Sequence, residues 1–415
     1  MKQRIDIEWI NQKSDSPLGR IIVLTGARQT GKTTIAKNCF PDYRYFNIDD
    51  VIVRSQLKNL SAAQWYYNQP LAILDEVQIE PQLINSVKAV YDMYPEPRYV
   101  LLGSSQFLLL QKVRESLAGR CVIRETYPLT LPEMRTNSFE DIVEPSFFVD
   151  FVRNKKTIEM LSPSFVLDNR FAQIRYAYDF YLQFGGYPAL TNNELNDNER
   201  FEWLENYVKT FLERDIRDLA SFRDLNPFIK LQRYLANTTA TLVNLSSIAK
   251  ETGITVPTVQ RYLQYMNISY QSISLPAWFS NPLKKLVKAP KIHVLDIGVL
   301  RAILQKRGML NGNEYESAIV SEIYKQLKCN ELPLFPYHLR TQDGREIDLL
   351  LESEDGFIAI EIKQTENVNR SDAKNFFGLQ EILNKPLKHC FVLSNDNQVK
   401  SFGEITAMHA GAFLG

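Results

Sequence analysis

One eight-residue pattern near the start of the chain restricts its fold more than any other feature. Residues 26–33 read Gly-Ala-Arg-Gln-Thr-Gly-Lys-Thr and fit the phosphate-binding pattern G-x-x-x-x-G-K-[ST] at every required position. The pattern follows an apolar run at residues 21–24 that reads as a buried strand, and it precedes a stretch that reads as a helix. Backbone N–H groups converge on phosphate at such a helix N-terminus. The N-terminal part is therefore predicted to be a P-loop ATPase that binds ATP with Mg²⁺ and hydrolyses it.

The residues of this loop have separate expected roles. Lys32 is expected to bridge the β- and γ-phosphate oxygens and to act in catalysis, and Thr33 is expected to offer its hydroxyl to Mg²⁺. The remaining nucleotide-binding candidates come from the same loop and are Gly26, Ala27, Arg28, Gln29, Thr30, Gly31 and Thr34.

Two carboxylates at the end of another apolar strand are the expected partners of the loop. Residues 71–74 are apolar and lead directly into Asp75 and Glu76. Ligands bind at the carboxyl ends of the strands in parallel sheets, so these acids are expected beside the nucleotide. We expect Asp75 to join Thr33 in holding Mg²⁺ and Glu76 to orient or deprotonate the attacking water. Two surface acids after a strand are the alternative.

Two further catalytic candidates follow in the N-terminal region. The predicted strand at residues 99–102 leads to Ser104, whose hydroxyl is expected to contact the γ-phosphate or the attacking water. Arg120 follows a predicted helix end. Many oligomeric ATPases complete their site with an arginine from a neighbouring subunit, and Arg120 is the candidate for that role. The alternative for Arg120 is a surface salt bridge.

Length and composition indicate several folded domains without a dominant charge. A chain of 415 residues exceeds what one hydrophobic core usually serves, and its 45% hydrophobic residues are typical of globular proteins. Basic and acidic residues number 48 each, so any contact with nucleic acid requires a local patch. The four cysteines are scattered, which argues against a structural metal site. Without a secretory signal or a long apolar run, we expect a cytoplasmic protein and no membrane partner.

Hydrophobic periodicity divides the chain into three predicted domains, residues 1–135, 136–290 and 291–415. The first should contain a parallel sheet, whose best strands are residues 21–24, 45–48, 71–74 and 99–102. The second should be mainly helical, and the third should be a smaller α/β unit. The predicted elements of the third are helices at residues 299–304, 314–327 and 372–383 and strands at residues 346–352, 357–362 and 389–393.

The middle region has the outline of a winged helix-turn-helix. Residues 246–263 read as helix, turn and helix around Gly253, and a strand is predicted at residues 268–275. Gln260 and Arg261 are expected on the outward side of the second helix, where they suit contacts in a DNA groove. A lysine cluster near the predicted wing suits phosphate contacts and consists of Lys284, Lys285, Lys288 and Lys291. A lid or packing module with solvated lysines is the alternative.

Four charged residues near the C terminus form a second candidate site. Residues two apart on a strand share a face, so Glu361 and Lys363 should point the same way. If their strand pairs with the strand of Asp348, the three residues can form a magnesium site with a lysine beside the attacking water. Glu316 on the preceding helix could add a carboxylate. An exposed hairpin with ordinary charges is the alternative.

Together these motifs resemble the bacterial and archaeal AAA-superfamily ATPases in which an AAA domain precedes a DUF4143 domain. The resemblance covers nearly the whole chain and is carried by residues 26–34, 74–78, 103–105, 116–120, 127–129 and 184–188. It implies an ASCE-type ATPase core, self-association into a ring or partial ring, and a C-terminal nuclease-like fold. Asp348, Glu361 and Lys363 match the PD-(D/E)xK motif of that fold. Some members of the fold only bind, so cleavage stays open.

The sequence therefore predicts an α/β protein with a P-loop AAA-type parallel sheet, a helical and winged-helix middle region, and a small restriction-endonuclease-like domain. The predicted function is ATP hydrolysis coupled to the engagement or remodelling of DNA. The expected cofactors are ATP and Mg²⁺, and the expected partners are DNA and further copies of the chain. The alternatives are an ATP-gated protein-interaction or regulatory module with an inactive nuclease-like domain, and an ATP-regulated endonuclease.

Overall fold

Three β-sheets organise the part of the chain that the computed structural model describes, which is residues 1–103, 113, 115–166, 168–212, 224–280, 289–341 and 344–415. Helices pack on these sheets, so the mixed α/β class predicted from the sequence is confirmed. Among the described residues, no helix is both long enough and apolar enough to cross a lipid bilayer.

The first sheet lies in the N-terminal region, and its strands are parallel. They are β1 (Ile21–Gly26), β2 (Arg44–Asn47), β3 (Leu71–Asp75), β4 (Arg98–Gly103) and β5 (Val122–Thr126), in the spatial order β2-β3-β4-β1-β5. Strand β1, which lies between β4 and β5, is buried along its whole length because its two faces pack into different hydrophobic clusters, Ile21 and Val23 into one and Ile22 and Leu24 into the other. The predicted parallel sheet is therefore confirmed.

The helices around this sheet include one, Ile5–Ser14, that the hydrophobic periodicity of the sequence did not indicate. They are α1 (Ile5–Ser14), α2 (Lys32–Cys39), α3 (Val51–Lys58), α4 (Ala62–Asn68) and α5 (Gln82–Met93). Helix α1 packs beside β5, where buried Asp6 accepts a hydrogen bond of 2.7 Å from Arg124 Nε. This buried pair explains why β5 can carry an arginine in its interior.

The middle region contains two kinds of structure. Helices α6 (Leu131–Met134), α7 (Phe147–Val152), α8 (Asn169–Phe184) and α9 (Asp197–Tyr207) come first. A small module follows with α10 (Asn226–Asn237), β6 (Thr241–Leu242), α11 (Leu245–Thr252), α12 (Val256–Ile268), β7 (Ser272–Leu275) and β8 (Lys291–Val294). Its antiparallel sheet has the order β6-β8-β7. The strand predicted from residue 268 begins only at Ser272, because α12 continues through Ile268.

The third sheet is mixed and lies in the C-terminal region. Its strands are β9 (Phe335–Arg340), β10 (Glu346–Glu352), β11 (Phe357–Ile362), β12 (Leu387–Ser394), β13 (Lys400–Phe402) and β14 (Ile405–His409), in the order β13-β14-β12-β11-β10-β9. The helices with it are α13 (Ile297–Leu304), α14 (Gly312–Cys329) and α15 (Ala410–Leu414). Strands β10 and β11 pair antiparallel, as the predicted site at Asp348 and Glu361 requires.

The α-helix predicted at residues 372–383 is wrong. The chain instead forms a short 3₁₀ helix, Arg370–Phe376, which Asn369 and Asp372 cap together. Gly378 then takes a left-handed conformation with φ of 72°, which an α-helix cannot continue through. The apolar residues that suggested a helix, such as Phe376 and Leu379, still pack on the sheet.

One hydrophobic cluster of the described residues crosses all three predicted domains. It contains Tyr127, Phe148 and Phe413, and the rings of Phe148 and Phe413 lie 5.3 Å apart. Ser164 also forms a β-bridge with Gln398. The helices α7 to α9 therefore share a core with the C-terminal sheet, whereas α10 to α12 pack mainly around their own cluster. The domain limits at residues 135 and 290 stay a prediction.

Candidate functional site

The loop between β1 and α2 depends on two glycines with positive φ. Gly26 has φ of 148°, and a Cβ atom there would lie 2.1 Å from the carbonyl oxygen of Thr126. Gly31 has φ of 93° and precedes α2 as a left-handed N-cap without a side-chain cap. The first N–H groups of α2 can therefore donate to a phosphate.

Lys32 lies at the start of α2 with its side chain buried against the loop. Its Nζ donates hydrogen bonds to the carbonyl oxygens of Gly26, at 2.9 Å, and Ala27, at 2.7 Å. The hydroxyl of Thr30 donates to the same Ala27 oxygen at 2.9 Å. The loop thus holds a cation against its own backbone, beside the N-terminus of α2 where an anion would bind.

Thr33 and Asp75, the two predicted Mg²⁺ ligands, are in direct contact. Thr33 Oγ1 donates to Asp75 Oδ2 at 2.6 Å, and the other oxygen, Asp75 Oδ1, accepts from the backbone N–H of Glu76 at 3.0 Å. A hydroxyl and a carboxylate are the hard oxygen donors that Mg²⁺ prefers, and Asp75 is only 7% exposed. These residues therefore fit a Mg²⁺ ion bound with a nucleotide.

Tyr45 on β2 is a neighbour of this pair that the sequence analysis missed. Its hydroxyl donates to Asp75 Oδ2 at 2.9 Å. Burial and the adjacent Asp75 charge raise the pKa of Tyr45, so the phenol stays a neutral donor at physiological pH. The contact of Tyr45 with Asp75 could have been expected only from the parallel pairing of β2 with β3, in which Asn47 lies opposite Asp75.

Glu76, the predicted general base, has an unusual backbone. Its φ is 56°, in the left-handed region that a non-glycine residue occupies only at a cost in strain. Its carboxylate accepts a hydrogen bond from Gln78 Nε2, and its Oε1 lies 3.9 Å from Arg28 Nη1. The predicted base therefore faces a residue of the phosphate-binding loop.

The other two catalytic candidates are Arg120 and Ser104. Arg120 forms a two-point ion pair with Asp92 of α5, with Nε–Oδ1 at 2.7 Å and Nη2–Oδ2 at 3.4 Å. The hydrogen bond from Arg120 lowers the pKa of Asp92. Both side chains are partly exposed, so within one chain Arg120 makes a surface salt bridge, and its action on a neighbouring subunit stays a prediction. Ser104 lies outside the described residues.

Two distant side chains tie the backbone of the phosphate-binding loop. Arg4 Nη1 donates to the carbonyl oxygen of Thr30 at 2.7 Å, while Arg4 Nε donates to Glu133 Oε1 at 3.0 Å. From the other side, the hydroxyl of Tyr207 on α9 lies 3.2 Å from the carbonyl oxygen of Arg28 and donates to it. Residues so far apart in the chain leave no local pattern, so the sequence analysis missed both.

The C-terminal candidates, Glu316, Asp348, Glu361 and Lys363, line one pocket of about 380 Å³. Asp348 Oδ2 accepts from the backbone N–H of Ile362 at 2.8 Å and lies 3.8 Å from Lys363 Nζ. Lys363 Nζ donates to Glu361 Oε2 at 2.6 Å. The structure thus gathers all four predicted residues.

Lys291 enters the same pocket, which corrects its predicted place among phosphate-contacting lysines. It is 2% exposed, and its Nζ lies 2.7 Å from Glu316 Oε1, 2.8 Å from Glu346 Oε1 and 3.7 Å from Asp348 Oδ1. Burial alone would lower the pKa of Lys291, but the three carboxylates outweigh it and raise that pKa. The ammonium is therefore charged.

The carboxylates of this pocket do not fit a divalent cation in this arrangement. Lys291 lies against Glu316, Glu346 and Asp348, and Lys363 binds Glu361, so the oxygens that would ligate a metal already have cationic neighbours. Among the residues that the structure describes, no group of three acidic, histidine or cysteine side chains is placed to hold a metal ion. The predicted magnesium site of the C-terminal region is not supported.

The DNA-contact candidates are only partly described. Gln260 and Arg261 are exposed on α12, as predicted, and the guanidinium of Arg261 lies 5.9 Å from the ring centre of Tyr262. Gly253 ends α11 with φ of 73°, and Thr255 caps α12 by accepting from the N–H of Thr258. Lys284, Lys285 and Lys288 lie outside the described residues.

Three family descriptions match successive parts of the chain. Residues 18–135 match an AAA domain, residues 175–309 match a domain of unknown function, DUF8612, and residues 311–413 match a second domain of unknown function, DUF4143. The chain thus carries the AAA and DUF4143 domains that the resemblance implied. The match to DUF4143 says nothing about nuclease chemistry.

Similar proteins and structures were also found. Uncharacterized proteins of Mycobacterium bovis and Mycobacterium tuberculosis are each 25% identical over 373 residues, which is 87% of this chain and 74% of the relative. A Walker-type ATPase of Pyrococcus abyssi is 14% identical, with a TM-score of 0.47, over 73% of this chain and 98% of its own. The ORC2 protein of Aeropyrum pernix is 14% identical, with a TM-score of 0.25, over 78% and 93%.

Proposed function

We propose that this chain binds Mg-ATP and hydrolyses it. The chain carries an AAA domain followed by a DUF4143 domain. The contact of 2.6 Å between Thr33 and Asp75 carries this proposal, because it places two magnesium-type ligands beside the loop that holds Lys32. Release of phosphate from Mg-ATP by the purified chain tests it. A chain that binds no nucleotide and releases no phosphate contradicts it.

Each residue of the candidate site has a separate proposed role in ATP binding and hydrolysis. Lys32 and the N–H groups at the start of α2 would bind the phosphates, and Thr33 and Asp75 would hold Mg²⁺, which neutralises phosphate charge when bound. Glu76 would orient the attacking water and accept its proton. Arg4 and Tyr207 are positioning residues, because they contact carbonyl oxygens of the loop and not the ligand side.

We also propose that Arg120 completes the site of a neighbouring subunit in a ring or partial ring. Replacing Arg120 with alanine should then reduce ATP turnover by about 10³-fold while ATP affinity stays unchanged, because an arginine of this kind stabilises only the transition state. Mixing Arg120→Ala chains with Lys32→Ala chains should restore turnover, since a mixed interface can contain one intact loop and one intact arginine. Turnover is measured by phosphate release across mixing ratios.

The control for Arg120 is its partner. Asp92→Asn weakens the surface ion pair but keeps the arginine, so it should retain turnover. Turnover that is no higher in any mixture than the weighted sum of the two separate variants, from chains that stay monomeric with ATP, would contradict action in trans.

We further propose that the module of α10 to α12 and β6 to β8 is a winged helix that engages duplex DNA. The support is the exposed face of α12, with Gln260 and Arg261, opposite the buried residues Val259 and Met266. An outward polar face on the second helix of such a module suits the major groove.

Removing the lysines of this module should change the salt dependence of DNA binding. Replacing Lys284, Lys285 and Lys288 together with alanine should lower the log–log salt slope by roughly one unit per lysine, because each phosphate contact releases condensed counterions. Titration of a fluorescent duplex at several salt concentrations measures the slope. Arg170→Ala, an exposed arginine on α8, is the matched control and should leave it unchanged. An unchanged slope in the folded triple variant would contradict the proposal.

A further inference from the structure

We infer that Lys291 is the resident cation of the C-terminal carboxylate pocket and that its ammonium prevents a divalent metal ion from binding there. The pocket is then an ion-paired joint between the small module and the C-terminal sheet, and it cleaves no phosphodiester. This inference concerns a site separate from the nucleotide site and is independent of the proposed ATP hydrolysis.

The geometry places one ammonium where several carboxylates converge. Lys291 Nζ contacts Glu316 of α14 and Glu346 of β10 at 2.7 and 2.8 Å, and Asp348 lies 3.7 Å away. These carboxylates come from two elements, α14 and β10, between which β9 lies in the chain. The site offers the carboxylate oxygens that a metal ion would need, but it arranges them around an ammonium.

Neighbouring strands hold Lys291 in this position. It is the first residue of β8, which lies between β6 and β7, and it pairs with Leu242 on one side and Leu275 on the other. Its side chain therefore leaves the sheet at a fixed point and reaches a pocket that Thr241 and Leu242 also line. The backbone of Lys291 is therefore held on both sides, and the ammonium is held in the pocket by its carboxylate partners.

An ammonium and Mg²⁺ cannot share these oxygens. Mg²⁺ requires near-octahedral oxygen ligands at about 2.0–2.1 Å, whereas the same oxygens of Glu316 and Glu346 lie at hydrogen-bond distance from Lys291 Nζ. Two positive charges at one point also repel each other strongly when water is excluded. Removing Lys291 would leave Glu316, Glu346 and Asp348 without their shared cation, which is a charge arrangement that attracts a divalent one.

The test is a titration of the full chain with Mn²⁺ in the absence of nucleotide. The electron paramagnetic resonance signal of free Mn²⁺ measures how much of the ion is bound. The wild-type chain should bind no Mn²⁺ that depends on Asp348. Lys291→Met should bind one Mn²⁺ with a Kd at least ten times lower than that of any Mn²⁺ binding by the wild-type chain. The double variant Lys291→Met, Asp348→Asn should lose this Mn²⁺ site. Adding Asp75→Asn to each chain removes any contribution of the nucleotide site.

The matched control is Lys306→Met. Lys306 pairs with Glu314 at 2.7 Å on the same helix, α14, but outside the pocket, so its removal should create no Mn²⁺ site. Mn²⁺ binding by the wild-type chain that Asp348→Asn abolishes would overturn the inference, as would a folded Lys291→Met chain that binds none. If Lys291→Met does not fold, the comparison of wild type with Asp348→Asn still decides.

Discussion

Replacing Lys32 with alanine is expected to lower ATP turnover by about 10²- to 10³-fold, the size of effect seen when one preorganised charge-stabilising donor is removed. The side chain is buried at the start of α2, and its ammonium is held by the carbonyl oxygens of Gly26 and Ala27. It is therefore already positioned in the loop, and its loss removes the cation that we propose contacts the β- and γ-phosphates. Steady-state phosphate release gives the turnover, and a fluorescent ATP analogue gives the affinity.

Lys58→Ala is the control for this change. Lys58 is a partly exposed lysine at the end of α3, paired with Glu80 at 3.1 Å, and its removal alters charge equally without touching the loop. It should keep wild-type turnover. Wild-type turnover and affinity in the Lys32→Ala chain would instead remove the loop from the proposed mechanism.

The candidate nucleotide site was the part of the molecule that the sequence located most directly, because each of its two segments has its own local pattern. Residues 26–34 form one uninterrupted loop, and Asp75 ends an apolar strand whose burial on both faces the sequence displays directly. Parallel strands end at a common edge, so Thr33 and Asp75 were expected near each other at that edge, and the structure places them in contact.

Contacts between distant side chains were not predictable. Arg4 reaches Thr30, and Tyr207 reaches Arg28, through packing that no periodicity encodes. Lys291 is the clearest case. In sequence it is one more lysine of a basic stretch, and only the pairing of β8 between β6 and β7 turns it from the surface into a pocket of carboxylates.

The predicted helix at residues 372–383 failed for a related reason. The spacing of its apolar residues fits a helix, but it also fits a short 3₁₀ turn followed by a chain that packs on the sheet. The deciding residue is Gly378, because its left-handed conformation ends helical geometry. Hydrophobic periodicity indicates which residues are buried, but it does not determine the backbone conformation of the segment that contains them.

The Glu76→Gln chain is expected to bind ATP as tightly as wild type and to hydrolyse it about 10²- to 10⁴-fold more slowly, the range that a positioned general base contributes. Glutamine has the same shape and can still contact Gln78 and lie near Arg28, so the local structure should persist. It cannot accept the proton of the attacking water. The positive φ of residue 76 sets the direction in which its Cα–Cβ bond leaves the backbone, and glutamine keeps that direction.

Single-turnover phosphate release and equilibrium ATP binding separate the two effects for Glu76→Gln. Glu80→Gln provides the control, because Glu76 and Glu80 flank the same 3₁₀ turn, Val77–Ile79, and Glu80 pairs with Lys58 away from the loop. It should release phosphate at the wild-type rate. If Glu76→Gln also turned over at that rate, the base would have to be another group, and if it failed to bind ATP, the carboxylate would belong to the binding of nucleotide and not to the activation of water.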